Sequence, residues 1–284
     1  MRVPSTSGVT LAVHDLGGDG PPFLIAHATG MCGRAYGPLA AVLAAAFRVY
    51  ALDFRGHGDS TEPEDGDFAW AGMGSDVLAA VDAIGVDHID AMGHSLGGAS
   101  LLIAESVRPG VLRTAYLFEP IVLTEAYASE RTNLMSDGAR RRRDVFGSKA
   151  EVLWRYAGRP PLGMLRADSL AAYVEHGFED LPDGTVRLKC RPESEARTFE
   201  CETKMTLDRV ADLAVPTIIG VGGEEPTSEL FGVPLAEAMR DARLIRYPHL
   251  GHFGPLQDPA TVGADILSGT QATTREVIDS EPYA

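Results

Sequence analysis

The chain has 284 residues, 45% of them hydrophobic and 23% charged, and a formal net charge of −15. That length suits one large domain, or one core carrying an insertion, and the acidity disfavours nucleic acid and anionic membrane surfaces as partners. Three cysteines, Cys32, Cys190 and Cys201, make neither a disulfide framework nor a metal-ligand spacing, and are read as reduced thiols.

In chain order, residues 9–16 predict a strand, ended by the turn Gly17-Gly18-Asp19-Gly20-Pro21-Pro22. Residues 23–26 predict a short buried strand ending at His27, 36–46 an Ala/Leu-rich helix, and 47–52 a strand ending at Asp53. Helical spacing covers 72–84, a strand covers 87–92, an apolar helix follows Gly97, and 112–118 is again strand-like. Strands alternating with helices argue for a parallel sheet with helices on both faces. From 121 to 205 the pattern changes: helix-like segments at 127–147, 150–157 and 167–176 succeed one another without apolar strands between them. The turn Leu181-Pro182-Asp183-Gly184 suggests a short hairpin there. The organisation expected is a core of residues 1–120 and 206–284 with a mainly helical cap inserted at 121–205. The run Arg140 to Arg143 reads as a solvated helix face, with anion or partner binding as its alternative. The sheet resumes at 216–221, followed by a helix at 232–240, a strand at 243–247, a helix at 258–268 and a frayed polar tail.

The chemistry centres on Gly93-His94-Ser95-Leu96-Gly97, a G-x-S-x-G run set between a strand and a helix. Such a turn strains the serine and exposes its hydroxyl as a nucleophile. A base is then needed, and histidine titrates in the right range. Among eight histidines, His252 is best placed, in Leu250-Gly251-His252-Phe253 after the last strand. His94, beside the serine, is read as a pocket or packing residue, and His57 and His249 as structural.

Two glutamates compete to orient the base. Glu119 ends an apolar strand, where an unpaired carboxylate is costly; Glu225 follows the strand preceding the histidine strand, with Glu224 beside it. The oxyanion donors expected are the amides of Leu96 and Thr29, the latter in His27-Ala28-Thr29-Gly30. Trp154, Tyr156, Met164, Leu165 and Phe178 are candidates to line an apolar substrate pocket in the cap, with cap packing as the alternative role of each.

Together these runs, with Asp53-Phe54-Arg55-Gly56-His57-Gly58-Asp59-Ser60, resemble the α/β-hydrolase superfamily over nearly the whole chain. The resemblance implies an α/β fold with a mostly parallel eight-stranded sheet flanked by helices, and a helical cap between the sixth and seventh strands. It implies acyl-enzyme hydrolysis without a cofactor or metal, in a serine-nucleophile, esterase-like member. The preferred substrate is a small apolar or aromatic carboxylic ester. The alternatives are a lactone or C–C bond cleaved by the same triad, and a catalytically silent hydrolase fold used for binding. No basic-then-apolar leader opens the chain and no apolar run approaches a bilayer's span of roughly 20 residues. The expectation is a cytoplasmic monomer or homodimer, with a small-molecule substrate and no membrane or nucleic-acid partner.

Overall fold

The computed structural model describes residues 1–123, 134–201, 204–223 and 228–279. From the N-terminus come β1 (Arg2–Pro4), β2 (Thr10–Gly17), β3 (Pro22–Ala26), α1 (Gly37–Leu43), β4 (Arg48–Asp53), α2 (Trp70–Ile84), β5 (Ile89–His94), α3 (Leu96–Val107) and β6 (Leu112–Phe118). The next segment holds α4 (Leu134–Arg140), β7 (Val145–Phe146), α5 (Lys149–Ala157), α6 (Ala167–Gly177), β8 (Phe178–Asp180), β9 (Val186–Leu188) and α7 (Pro192–Glu200). Then follow α8 (Leu207–Val210), β10 (Thr217–Gly222), α9 (Val233–Ala238), β11 (Ala242–Tyr247), α10 (Gly254–Gln257) and α11 (Pro259–Asp279).

One eight-stranded sheet runs in the order β1-β2-β4-β3-β5-β6-β10-β11. β1 and β2 pair antiparallel, as do β2 and β4, while every pairing from β4 to β11 is parallel. All of those parallel strands therefore end at one edge. The strand order doubles back at β3, since β4 lies on one side of it and β5 on the other. Open α/β sheets bind ligands outside the carboxyl ends of their strands at such a switch point. The fold thus brings together the loop after β3 and the residue after β5. Every position of β5 is buried, as expected of a parallel strand covered on both faces.

The segment between β6 and β10 is less purely helical than its sequence suggests. β7, β9 and β8 form a three-stranded antiparallel sheet, with the turn at Leu181–Gly184 joining β8 to β9. Val145 and Phe146 fall inside the span expected as helix 127–147, but α4 stops at Arg140 and this β-favouring pair joins β9 instead. The start of that span, to residue 133, lies outside the described residues. α7 falls where the sequence reading places no helix, although Pro192 at its start and Glu193 and Glu195 in its first turn are helix-start signals. At the other end, α11 runs on to Asp279, past the expected stop at residue 268. No proline occurs between Gly269 and Asp279, so nothing there stops the helix.

One buried ion pair ties the N-terminal segment, α2 and the turn after β4 together. The Arg55 and Asp76 side chains are both 0% exposed and meet at 2.8 Å. Arg55 also donates to Thr6 Oγ1 and to the Gly72 carbonyl, and Ser5 Oγ donates to Asp76. Every polar end of the pair is thereby held. Removing one partner would leave the other charge buried alone, which costs about 3–5 kcal/mol. Asp76→Ala is therefore expected to lower unfolding free energy in urea by about that much; a change below about 1 kcal/mol would contradict this role.

Candidate active site

Ser95 lies directly between β5 and α3, at φ 55° and ψ −115°. Its amide donates to the Phe118 carbonyl at 2.9 Å, and its carbonyl accepts from Gly98 at 3.1 Å and Ile121 at 3.3 Å. Glycine is required on both sides. A Cβ on Gly97 would come within 2.1 Å of the Ala26 carbonyl oxygen, and one on Gly93 within 2.5 Å of Gly98 Cα. The elbow can therefore press against β3 only because these side chains are absent. Leu96 opens α3, so its amide has no carbonyl of its own helix to reach.

Glu119 follows β6 in the left-handed region, φ 45°, and its amide donates to the Gly220 carbonyl at 2.9 Å. Its carboxylate is 1% exposed. Oε1 accepts from the Gly222 amide at 2.8 Å, and Oε2 lies 3.6 Å from His252 Nδ1. That separation is an ion-pair distance and is too long for a hydrogen bond. Nδ1 of His252 is buried and has no hydrogen-bond partner among the described residues. Catalytic hydrogen bonds in free enzymes often have this length and tighten around a bound substrate. Glu224 and Glu225 lie outside the described residues.

His94 does not line the cavity beside Ser95; it is wholly buried behind it. Its Nε2–H donates to the His252 carbonyl at 2.7 Å, which leaves Nδ1 to accept from Tyr36 OH at 2.6 Å. Tyr36 in turn accepts from the Ala28 amide at 3.2 Å. Burial, with the neighbouring His252 adding to it, holds the His94 pKa well below the ordinary 6.5, so the ring stays neutral and keeps this tautomer. One hydrogen-bond chain thus joins the loop after β3, the elbow and the His252 loop. Nothing in the sequence singles out Tyr36.

His27 anchors the loop after β3. Its Nδ1–H donates to the Ala28 carbonyl at 2.8 Å and its Nε2 accepts from the Phe54 amide at 3.1 Å. Within this loop the Ala28 and Met31 amides are already engaged, by Tyr36 OH and by the Ala28 carbonyl. The Thr29 and Gly30 amides have no such acceptor among the described residues.

A cavity of about 830 Å³ opens here. Ser95, Leu96, Thr29, His252 and Phe253 line it from the core, and Phe146, Tyr156, Leu162 and Tyr173 from the segment between β6 and β10. Of the expected pocket residues, Tyr156 is on its wall. Trp154 and Met164 point to solvent instead, at 81% and 47% exposure, while Leu165 and Phe178 are buried in packing. The arginine run is split. Arg140 pairs with Glu193 and Glu200 on the surface, as a solvated face should; Arg141 and Arg143 are exposed as well but border the cavity, and Arg142 lines it half-buried.

His14, Asp53 and Asp59 make the one metal-like cluster found among the described residues. Protein donors already fill it. Asp53 accepts from the amides of Gly33 and Asp59 and pairs with His14, and Asp59 pairs with Arg34 and Lys189. Cys32, Cys190 and Cys201 are all free thiols. Among the described residues no helix is long and apolar enough to cross a membrane.

A strained serine between strand and helix, a buried carboxylate after β6 facing a histidine on the loop after β11, and the cavity above them are the features of one enzyme class. The chain belongs to the alpha/beta hydrolase family, whose model matches residues 23–265. It is 26% identical over 250 residues to a 2-(acetamidomethylene)succinate hydrolase of Mesorhizobium japonicum, covering 86% of each chain. It is 26% identical to a putative carbamate hydrolase, RutD, of Variovorax paradoxus, covering 88% of this chain and 91% of the relative. Among solved structures, an E-2-(acetamidomethylene)succinate hydrolase superposes with a TM-score of 0.80 at 23% identity, covering 95% of this chain and 98% of that one.

Burial, with His57 adding to it, pushes the pKa of His27 down from 6.5 to about 3. Above pH 6.5 the ring is neutral in both folded and unfolded chains and contributes no pH dependence. Below it the unfolded chain takes up a proton that the folded chain refuses. Stability then falls with pH, by up to about 1.4 kcal/mol per pH unit for each such histidine. Urea midpoints should accordingly drop between pH 6.5 and pH 4, and His27→Asn should flatten that slope; an identical slope in the variant would contradict it.

Proposed function

We propose that this hydrolase works through a covalent acyl-enzyme at Ser95, on a small carboxylic ester with an apolar or aromatic body. The observation that carries the reading is the placement of Ser95 and His252 on one cavity wall, with a buried carboxylate behind the histidine. Ser95 Oγ attacks the carbonyl carbon while His252 Nε2 takes its proton. Glu119 faces the resulting imidazolium through Nδ1, and the Gly222 amide keeps its other oxygen fixed. The Leu96 and Thr29 amides receive the oxyanion, each donor worth about 2.7–4 kcal/mol in comparable sites. His252 then hands the proton to the leaving alcohol. Water, deprotonated by the same ring, attacks the acyl carbon and releases the acid and Ser95.

The segment between β6 and β10 serves in this reading as a cap that selects the substrate, because its aromatic residues supply much of the cavity wall. An amide or carbamate presents the same acyl carbon. Relatives named for 2-(acetamidomethylene)succinate and carbamate hydrolysis favour including both in a substrate screen.

Kinetics on an accepted ester test the roles. Ser95→Ala should lower kcat on the order of 10^6-fold, and Glu119→Gln on the order of 10^4-fold. Glu225→Gln should change it little. Wild-type turnover by the Ser95 variant would reject the mechanism, and a large loss confined to Glu225→Gln would transfer the acid role to that residue.

A further inference from the structure

The chain carries 40 acidic against 25 basic residues, yet the described residues of the cavity wall reverse that balance. Arg141, Arg142, Arg143, Arg155, Arg159 and Lys204 line it, with Glu195 as the acid among the described lining residues. Two of these cations are already neutralised, Arg142 by Glu195 at 2.5 Å and Arg143 by Glu151 at 2.7 Å. Arg141, Arg155, Arg159 and Lys204 make no ion pair with the described residues. Arg155 and Lys204 are half-buried, so bulk water screens them only in part. Cations without an ion pair among the described residues, set over apolar walls, concentrate anions from solution.

Their position gives the anion a geometry. Arg141, Arg155, Arg159 and Lys204 all come from the segment between β6 and β10. Ser95 and His252 belong to the strand ends. Phe146, Tyr156 and Leu162 supply apolar wall to the same space. A ligand reaching from Ser95 to the cations needs an acyl carbon at one end, an apolar stretch, and a negative charge at the other. The planar guanidinium fork matches a carboxylate with two parallel hydrogen bonds.

We infer that the substrate carries a carboxylate remote from its scissile carbonyl, held by Arg155 and Lys204 with Arg141 and Arg159 at the margin. This rests on Ser95 acting as proposed above, and it adds a charge to the apolar or aromatic body proposed there. The carboxylate pairs with cations that make no ion pair with a described residue, and so orients the acyl group toward Ser95.

Matched ester pairs test it, with the charge on either side of the scissile bond. Mono(4-nitrophenyl) adipate is compared with 4-nitrophenyl hexanoate, and 4-(hexanoyloxy)phenylacetate with 4-methylphenyl hexanoate. In at least one pair the wild-type enzyme should prefer the anionic member at least tenfold in kcat/KM, through a lower KM. Added salt should erode that preference. The double variant Arg155→Gln, Lys204→Gln should reduce the anionic-to-neutral ratio about tenfold or more, and Arg155→Lys should restore part of it. A ratio is read, so a general loss of folded enzyme does not imitate the effect. Equal or better hydrolysis of the neutral member in both pairs would overturn the inference, as would a preference that survives the double variant. Hydrolysis persisting in Ser95→Ala would instead overturn the covalent mechanism.

Discussion

Ser95 occupies a backbone conformation, φ 55° and ψ −115°, of a kind that costs on the order of 1–3 kcal/mol and persists only where the surroundings impose it. Here they do so through the amide and carbonyl of Ser95 itself, bonded to Phe118 and Ile121 on either side of Glu119. The close approach of Gly97 to Ala26 presses the elbow against β3. The strained turn therefore fixes two further things. It sets the position of Glu119 on the next strand end, and that of the Thr29 loop beyond β3.

The remaining piece, His252, sits on the loop after β11, far along the sheet edge from β5. Two contacts bring it in. Glu119 faces its Nδ1 from below, and His94 holds its backbone carbonyl. Because His94 precedes Ser95, the strained serine is covalently joined to the residue that holds the His252 backbone. His27 makes the corresponding connection on the other side, from Phe54 to Ala28. Three of the buried histidines, His27, His57 and His94, have pKa values lowered by burial and act as neutral hydrogen-bonding groups.

How much of this is legible in the sequence follows from the range of each interaction. The parallel sheet, the elbow and the strand-end location of His252 depend on local spacing, and the chain reads correctly there. Whether Glu119 or Glu225 faces the histidine depends on which strand end reaches it across the sheet, so sequence order leaves both open. Tyr36 is invisible because its partner, His94, lies far off in the chain and the pair meets only on folding. The cavity wall defeated periodicity most. Trp154 and Phe178 are apolar and aromatic, yet one faces solvent and the other is buried among Phe146, Tyr156 and Tyr173. The arginine run reads as solvated because charge runs usually are, and Arg140 behaves so. Its three successors border the cavity where the chain leaves α4 for β7, Arg141 and Arg143 still exposed and Arg142 half-buried. No one-dimensional pattern marks that bend.

The central claim is that Ser95 is a nucleophile activated by His252, and covalent trapping tests it most directly. The protein is treated with a fluorophosphonate probe, and the labelled peptide is identified by mass spectrometry. The account predicts one adduct, on Ser95, formed rapidly in the wild type and at least a hundredfold more slowly in His252→Ala. Failure of Ser95 to react, or labelling at an unchanged rate without His252, would contradict it.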